Sequence, residues 1–153
     1  MTTTQTRALL AVAVVLVLGA VNWSIVAKER IKTQGERIFL ALAPVDPRSL
    51  MQGDYMALRF EITNNIPTAE SGRAPLFVDE RGIATFNPSP ETARLHMRYR
   101  VRNGQVWLGT NAYFFEEGTA ERYQGARYGE FRVDRDTGEA VLVGLADDNL
   151  NPK

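Results

Sequence analysis

Leu95-His96-Met97-Arg98-Tyr99-Arg100-Val101-Arg102-Asn103-Gly104-Gln105-Val106-Trp107-Leu108 reads as a β-hairpin and decides the fold class. Leu95, Met97, Tyr99 and Val101 alternate with polar residues, the period of a half-buried strand. Asn-Gly is the strongest two-residue type I′ turn signal, because both residues tolerate positive φ. Val106, Trp107 and Leu108 then start the return. The opposite face of the first strand carries Arg94, His96, Arg98, Arg100 and Arg102 at every second position. One reading makes this a basic stripe for anionic headgroups or an acidic partner, with each charge worth ~1 kcal/mol near an anionic leaflet. The other makes it a solvated outer face, balanced by cross-strand acids such as Glu116 and Glu130.

Similar patterns flank the hairpin. Residues 76–78 and 83–86 flank Glu80-Arg81-Gly82 as a second hairpin. Residues 128–133 and 140–145 form a third around the turn at 134–138. Upstream, 38–43 is a buried strand stopped by Pro44 and Pro47. Met56, Leu58, Phe60 and Ile62 mark a half-buried strand ended by Asn64-Asn65, and the chain from there to Pro75 reads as loop. Tyr113-Phe114-Phe115 extends the return of the first hairpin. Residues 116–124 fit a short helix or a loop, and the polar tail 146–153 is surface. Short strands separated by regular turn signals predict a mainly β domain, a compact antiparallel barrel or sandwich.

Ahead of these strands, residues 8–27 (ALLAVAVVLVLGAVNWSIVA) hold no charge. About twenty apolar residues rising 1.5 Å each span a ~30 Å hydrocarbon core, where a helix satisfies its own backbone. Trp23 fits an interfacial aromatic. A cleaved signal peptide has a shorter apolar core and a small-x-small site. Here the available cuts, after Leu18-Gly19-Ala20 or Ile25-Val26-Ala27, carry a bulky residue three positions before the cut. A core helix apolar on every side is rare in a small domain. The expected organisation is therefore a tail at 1–7, a transmembrane anchor at 8–27, a polar stalk at 28–37 (KERIKTQGER) with Gly35 as helix breaker, and a β domain at 38–153. The lipid bilayer is a partner through 8–27.

Composition excludes several chemistries. The 153 residues carry no net charge, so no global field favours nucleic acid. There is no cysteine, hence no disulfide, thiolate catalyst or cysteine metal site, and His96 is the only histidine. Glu116, Glu117, Glu130, Asp147 and Asp148 lack calcium-loop spacing. No metal and no cofactor is called for.

The densest stretch is 44–55 (PVDPRSLMQGDY). Two prolines stiffen it, Gly53 permits close backbone approach, and Asp54 is a turn-capping type. Asp46, Arg48, Ser49 and Asp54 either converge on a ligand or pin the loop through an Arg48–Asp pair. A Leu50-x-x-Gly53-Asp54 turn before a strand is similar to the turn that follows the nucleophile in signal peptidases. The serine of that pattern falls on Val45 here, and the downstream domain holds no lysine except Lys153, so a Ser–Lys dyad fails on both partners. A hydrolase built on Asp46, Arg48, Asp54 and Glu130 ranks last, and no catalytic residue is assigned.

With these residues in view, the chain resembles the GDYXXLXY family. Gly53-Asp54-Tyr55-Met56-Ala57-Leu58-Arg59-Phe60 matches the motif, with phenylalanine in place of its last tyrosine. Residues 44–50 and Ala126-Arg127-Tyr128-Gly129-Glu130-Phe131-Arg132-Val133 are similar to family segments too. The resemblance implies a small bacterial membrane-anchored protein beside multi-spanning membrane proteins, hence an accessory or interaction module with a polytopic partner. The alternative is a ligand- or headgroup-binding domain. Binding residues expected on either reading are Asp46, Arg48, Ser49, Gly53, Asp54, Tyr55, Arg98, Arg100, Tyr128 and Glu130. The resemblance also implies an exported domain on the cell membrane. Against that, Lys28, Arg30, Lys32 and Arg37 outnumber Arg7 and favour a cytoplasmic one. We place the domain outside the cytoplasm on the resemblance.

Overall fold

The apolar run folds as part of one continuous helix, α1 (Thr3–Gln34), long and apolar enough to cross a membrane. The computed structural model describes residues 3–43, 55–89, 91 and 93–153. Large apolar side chains from Leu9 to Val26 are exposed all around α1, and Trp23 is 80% exposed. The segment expected as a polar stalk is helical up to Gln34, and it docks on the domain. Ile31 is only 6% exposed there, against the third hairpin. Gly35 ends the helix as expected: its N–H donates to the Ile31 carbonyl at 2.8 Å, and the chain enters a strand at once. A side chain at Gly35 would collide with that carbonyl and crowd the Val133 nitrogen at 3.0 Å.

Among the described residues nine strands follow. They are β1 (Glu36–Ala41), β2 (Tyr55–Ala57), β3 (Gly72–Val78), β4 (Ala84–Phe86), β5 (Leu95–Arg102), β6 (Gln105–Trp107), β7 (Ala112–Phe114), β8 (Tyr128–Val133) and β9 (Ala140–Ala146), with a short helix α2 (Ala120–Tyr123) before β8. They build antiparallel sheets in the orders β1-β8-β9, β2-β7 and β4-β3-β5-β6. Bridges at Phe39–Ile83 and Leu42–Phe60 join the sheets around one core. Its largest fully buried side chains include Phe60, Phe131, Ile38, Leu40, Leu76, Leu95 and Met97. The mainly β expectation is met.

All three hairpins form. Asn103 and Gly104 take φ of 51° and 72°, as a type I′ turn requires. Asp79 organises the β3–β4 turn, accepting from the Arg81 and Ile83 amides at 2.9 and 2.8 Å. Asp134 does the same for the β8–β9 turn, accepting from the Asp136 and Thr137 amides and the Thr137 hydroxyl.

Three expectations need correction. The chain before Pro75 is strand from Gly72 onwards, not loop. Pro75 fits because its carbonyl accepts from Asn87 N on the β4 side, past the last β4 pairing, where no ladder needs its missing N–H. The strand expected through Ile62 shortens to β2. Thr63 then donates its hydroxyl and its amide to the Phe60 carbonyl and winds Glu61–Asn64 into a 3₁₀ turn. Met56, Leu58, Phe60 and Ile62 are all buried nonetheless. Tyr113-Phe114-Phe115 does not prolong β6. Gly109, at φ 73°, and the Thr110 hydroxyl bonded to Ala112 turn the chain away, so that β7 pairs with β2.

Candidate functional site

The arginine-bearing face of β5 becomes one wall of a cleft at the base of α1. The β8–β9 turn docks against it: Gly138, at φ 72°, accepts from the Arg98 amide at 2.7 Å, and a side chain there would meet the His96 carbonyl at 3.0 Å. That docking delivers the next residue, Glu139, to the cleft. Its carboxylate accepts from Lys28 Nζ of α1 at 2.6 Å and stands 3.6 Å from Arg98 Nη1. The cleft has a volume of about 620 Å³, and Lys28, Arg98, Arg100, Arg102, Trp107 and Glu139 are among its lining residues. The Arg102 guanidinium lies 5.8 Å from the centre of the Trp107 ring.

Electrostatically the cleft is basic. Arg73 of β3 stands directly opposite Arg98 in the ladder, a like-charge arrangement that costs stability unless something neutralises it. The Lys28 hydrogen bond, with Arg98 and Arg100 nearby, holds the Glu139 carboxyl below the usual carboxylate range. It is therefore ionised at neutral pH. Among the described residues, no acid lies within ion-pair distance of Arg73, Arg100 or Arg102. The expectation that Glu130 balances the stripe is overturned. Glu130 accepts from Arg37 Nε at 2.8 Å on the other sheet, and the acid that meets Arg98 is Glu139.

The expected binding residues separate into groups. Asp46, Arg48, Ser49, Gly53 and Asp54 lie outside the described residues. Tyr55 sits on β2 with its ring 5.8 Å from that of Phe114, which is 74% exposed. Arg98 and Arg100 line the cleft. Tyr128 and Glu130 sit on β8, Tyr128 opposite Ala41 and Glu130 opposite Phe39, beside the Arg37–Phe39 cation–π pair. Lys28 and Glu139, which complete the cleft, were missed. The available signals were Lys28 as the first charge after the apolar run and Glu139 as the residue that leaves a tight Asp/Gly turn. Among the described residues no three of His, Asp and Glu gather as metal ligands.

The motif stretch serves the core. Phe60, its last residue, is 1% exposed and packs edge-on against Phe131 at 5.2 Å. It also presses on Gly129, where a Cβ would stand 2.8 Å from Phe60 Cε1. The Leu42 amide donates to the Arg127 carbonyl and the Ala43 amide to that of Arg59. The described end of the motif and the segment 126–133 thus meet through buried packing of Phe60, and each is also hydrogen-bonded through its backbone to residues 42–43 between them. The pattern of the GDYXXLXY protein family matches residues 17–145, and the chain belongs to that family. No curated protein and no solved structure matches the chain.

Proposed function

We propose that this is a single-pass bacterial membrane protein whose β domain is a binding module, accessory to a polytopic membrane protein and not an enzyme. The observation that carries this reading is the joint between helix and domain. Ile31 is buried, Lys28 is tied to Glu139, and no linker separates Gln34 from β1. An apolar helix so fixed holds its domain at one height and one angle above the bilayer, as a module engaging a neighbouring membrane protein needs. The exposed apolar surface of α1 from Leu9 to Val26 fits lipid or another helix. The family resemblance supports an accessory role and an extracytoplasmic domain.

Photo-crosslinking from Val15 and Phe114 in native membranes tests the reading. A discrete adduct with one multi-spanning protein is expected. Adducts with lipid alone, or with many abundant proteins equally, would remove its support. A second reading, a module for an anionic ligand, is favoured by the Arg98–Arg102 cleft.

A further inference from the structure

The position of Lys28 couples the cleft to the membrane. Residues 8–27 have no charge, Lys28 follows directly, and Ile31, one helical turn on, is already buried against the domain. One turn rises 5.4 Å, close to the thickness of the headgroup layer flanking a ~30 Å hydrocarbon core. With the apolar run in hydrocarbon, Lys28 and the cleft it lines lie at the level of lipid phosphates.

The cleft has the chemistry for such a group. Arg100 and Arg102 stand two residues apart on one face of β5, about 7 Å along the strand. Two guanidinium forks at that spacing reach opposite oxygens of one phosphate, with the charge-assisted geometry arginine offers. Glu139 opposes an anion, but its carboxylate is occupied by Lys28 and Arg98, and the four cations lining the cleft outnumber it. We propose that the cleft lined by Lys28, Arg98, Arg100 and Arg102 binds the phosphate of an anionic phospholipid from the leaflet surrounding α1.

This inference rests on the anchoring reading, and the two are separable. Alkaline carbonate extraction of membranes holding the full chain tests the anchor: retention supports it, and release overturns it. For the cleft, the full chain is placed in nanodiscs of mixed phosphatidylcholine and phosphatidylglycerol, and bound lipid is read by native mass spectrometry. Wild type is expected to retain phosphatidylglycerol above its share of the disc. Arg100→Gln should cut the enrichment about fivefold, the equivalent of ~1 kcal/mol per basic residue near an anionic leaflet. Adding Arg102→Gln should abolish it, with the thermal midpoint unchanged because both side chains are exposed. Lys28→Gln provides an independent variant on another element. A retained chain with no enrichment, or with enrichment unmoved by the double variant, overturns the cleft inference and leaves the anchor standing. Complete displacement of the lipid by millimolar inorganic phosphate would also overturn it, since the cleft would then be a site for a free anion.

Discussion

Replacing Gly129 with alanine tests the packing that joins the family motif to β8. Gly129 is buried in the central strand of its sheet, opposite Leu40 on one side and Leu145 on the other. An alanine Cβ would stand 2.8 Å from Phe60 Cε1, 3.2 Å from Leu142 Cδ1 and 3.3 Å from Phe131 Cε2. Carbon contacts are comfortable from about 3.5 Å, so the Phe60 ring must retreat by roughly 0.7 Å. It is enclosed and braced against Phe131, so the shift propagates into the core. Overpacking of this kind costs about 1–3 kcal/mol. Against it stands a gain of about 0.5–1 kcal/mol from replacing glycine inside a strand. The expected net is a loss of about 1–2 kcal/mol, a fall of about 0.5–1 M in the urea midpoint of the full chain in micelles. Phe60→Leu makes room, so the double variant should lose less than the sum of the single losses, by at least ~0.5 kcal/mol. Gly144→Ala on β9, where a Cβ meets nothing within 4 Å, is the control and should show the glycine gain alone, a stabilisation of about 0.5–1 kcal/mol. A neutral or stabilising Gly129→Ala, or additive losses in the cycle, would refute the reasoning.

Three further outcomes are expected. Gly104→Ala puts a side chain at φ 72° and should lower stability by about 1–2 kcal/mol in the same urea assay, with the Asn103 turn loosened. Ile31→Ala removes the apolar contact between α1 and the domain, at a cost of about 2 kcal/mol; protease cleavage near Gly35 should rise while the β domain stays resistant. The acid limb of stability follows from three carboxyls held below their usual range: Asp134 by Thr137, Glu139 by Lys28 and Asp147 by Asn151. Depressed folded values mean that their stabilisation is full above the ordinary carboxyl pKa near 4 and is lost as pH falls through the lower folded values. Thermal midpoints should therefore be flat near neutrality and fall below about pH 4. Glu139→Gln should shallow that fall and lower neutral-pH stability by the same amount, a small one because its ion pairs are solvent-screened.

Features encoded within a few residues were readable in the sequence, and those set by distant partners were not. Asn103-Gly104 and Asp134–Gly138 carry their own turn chemistry, so both hairpins followed from local sequence. The inward positions Met56, Leu58, Phe60 and Ile62 were likewise legible, because burial follows alternation even where the strand gives way to a 3₁₀ turn. The pairing of β7 with β2 was hidden, since only the Gly109–Thr110 bend tells the chain to leave β6, and glycine and threonine are too common to announce it. Pro75 misled for the opposite reason: proline is excluded from a strand only where its N–H is needed, and that depends on where β4 stops. The cleft shows the same division. Its arginines occupy alternate positions of one strand and were read from their period. Its acid is Glu139, brought to Arg98 by the docking of Gly138, while Glu130, an equally good partner on paper, is taken by Arg37 across a different sheet. Charge balance on a strand face is a tertiary property. A stripe of arginines therefore establishes which residues share a surface, and only the turn that docks on it decides how much of their charge remains for a ligand.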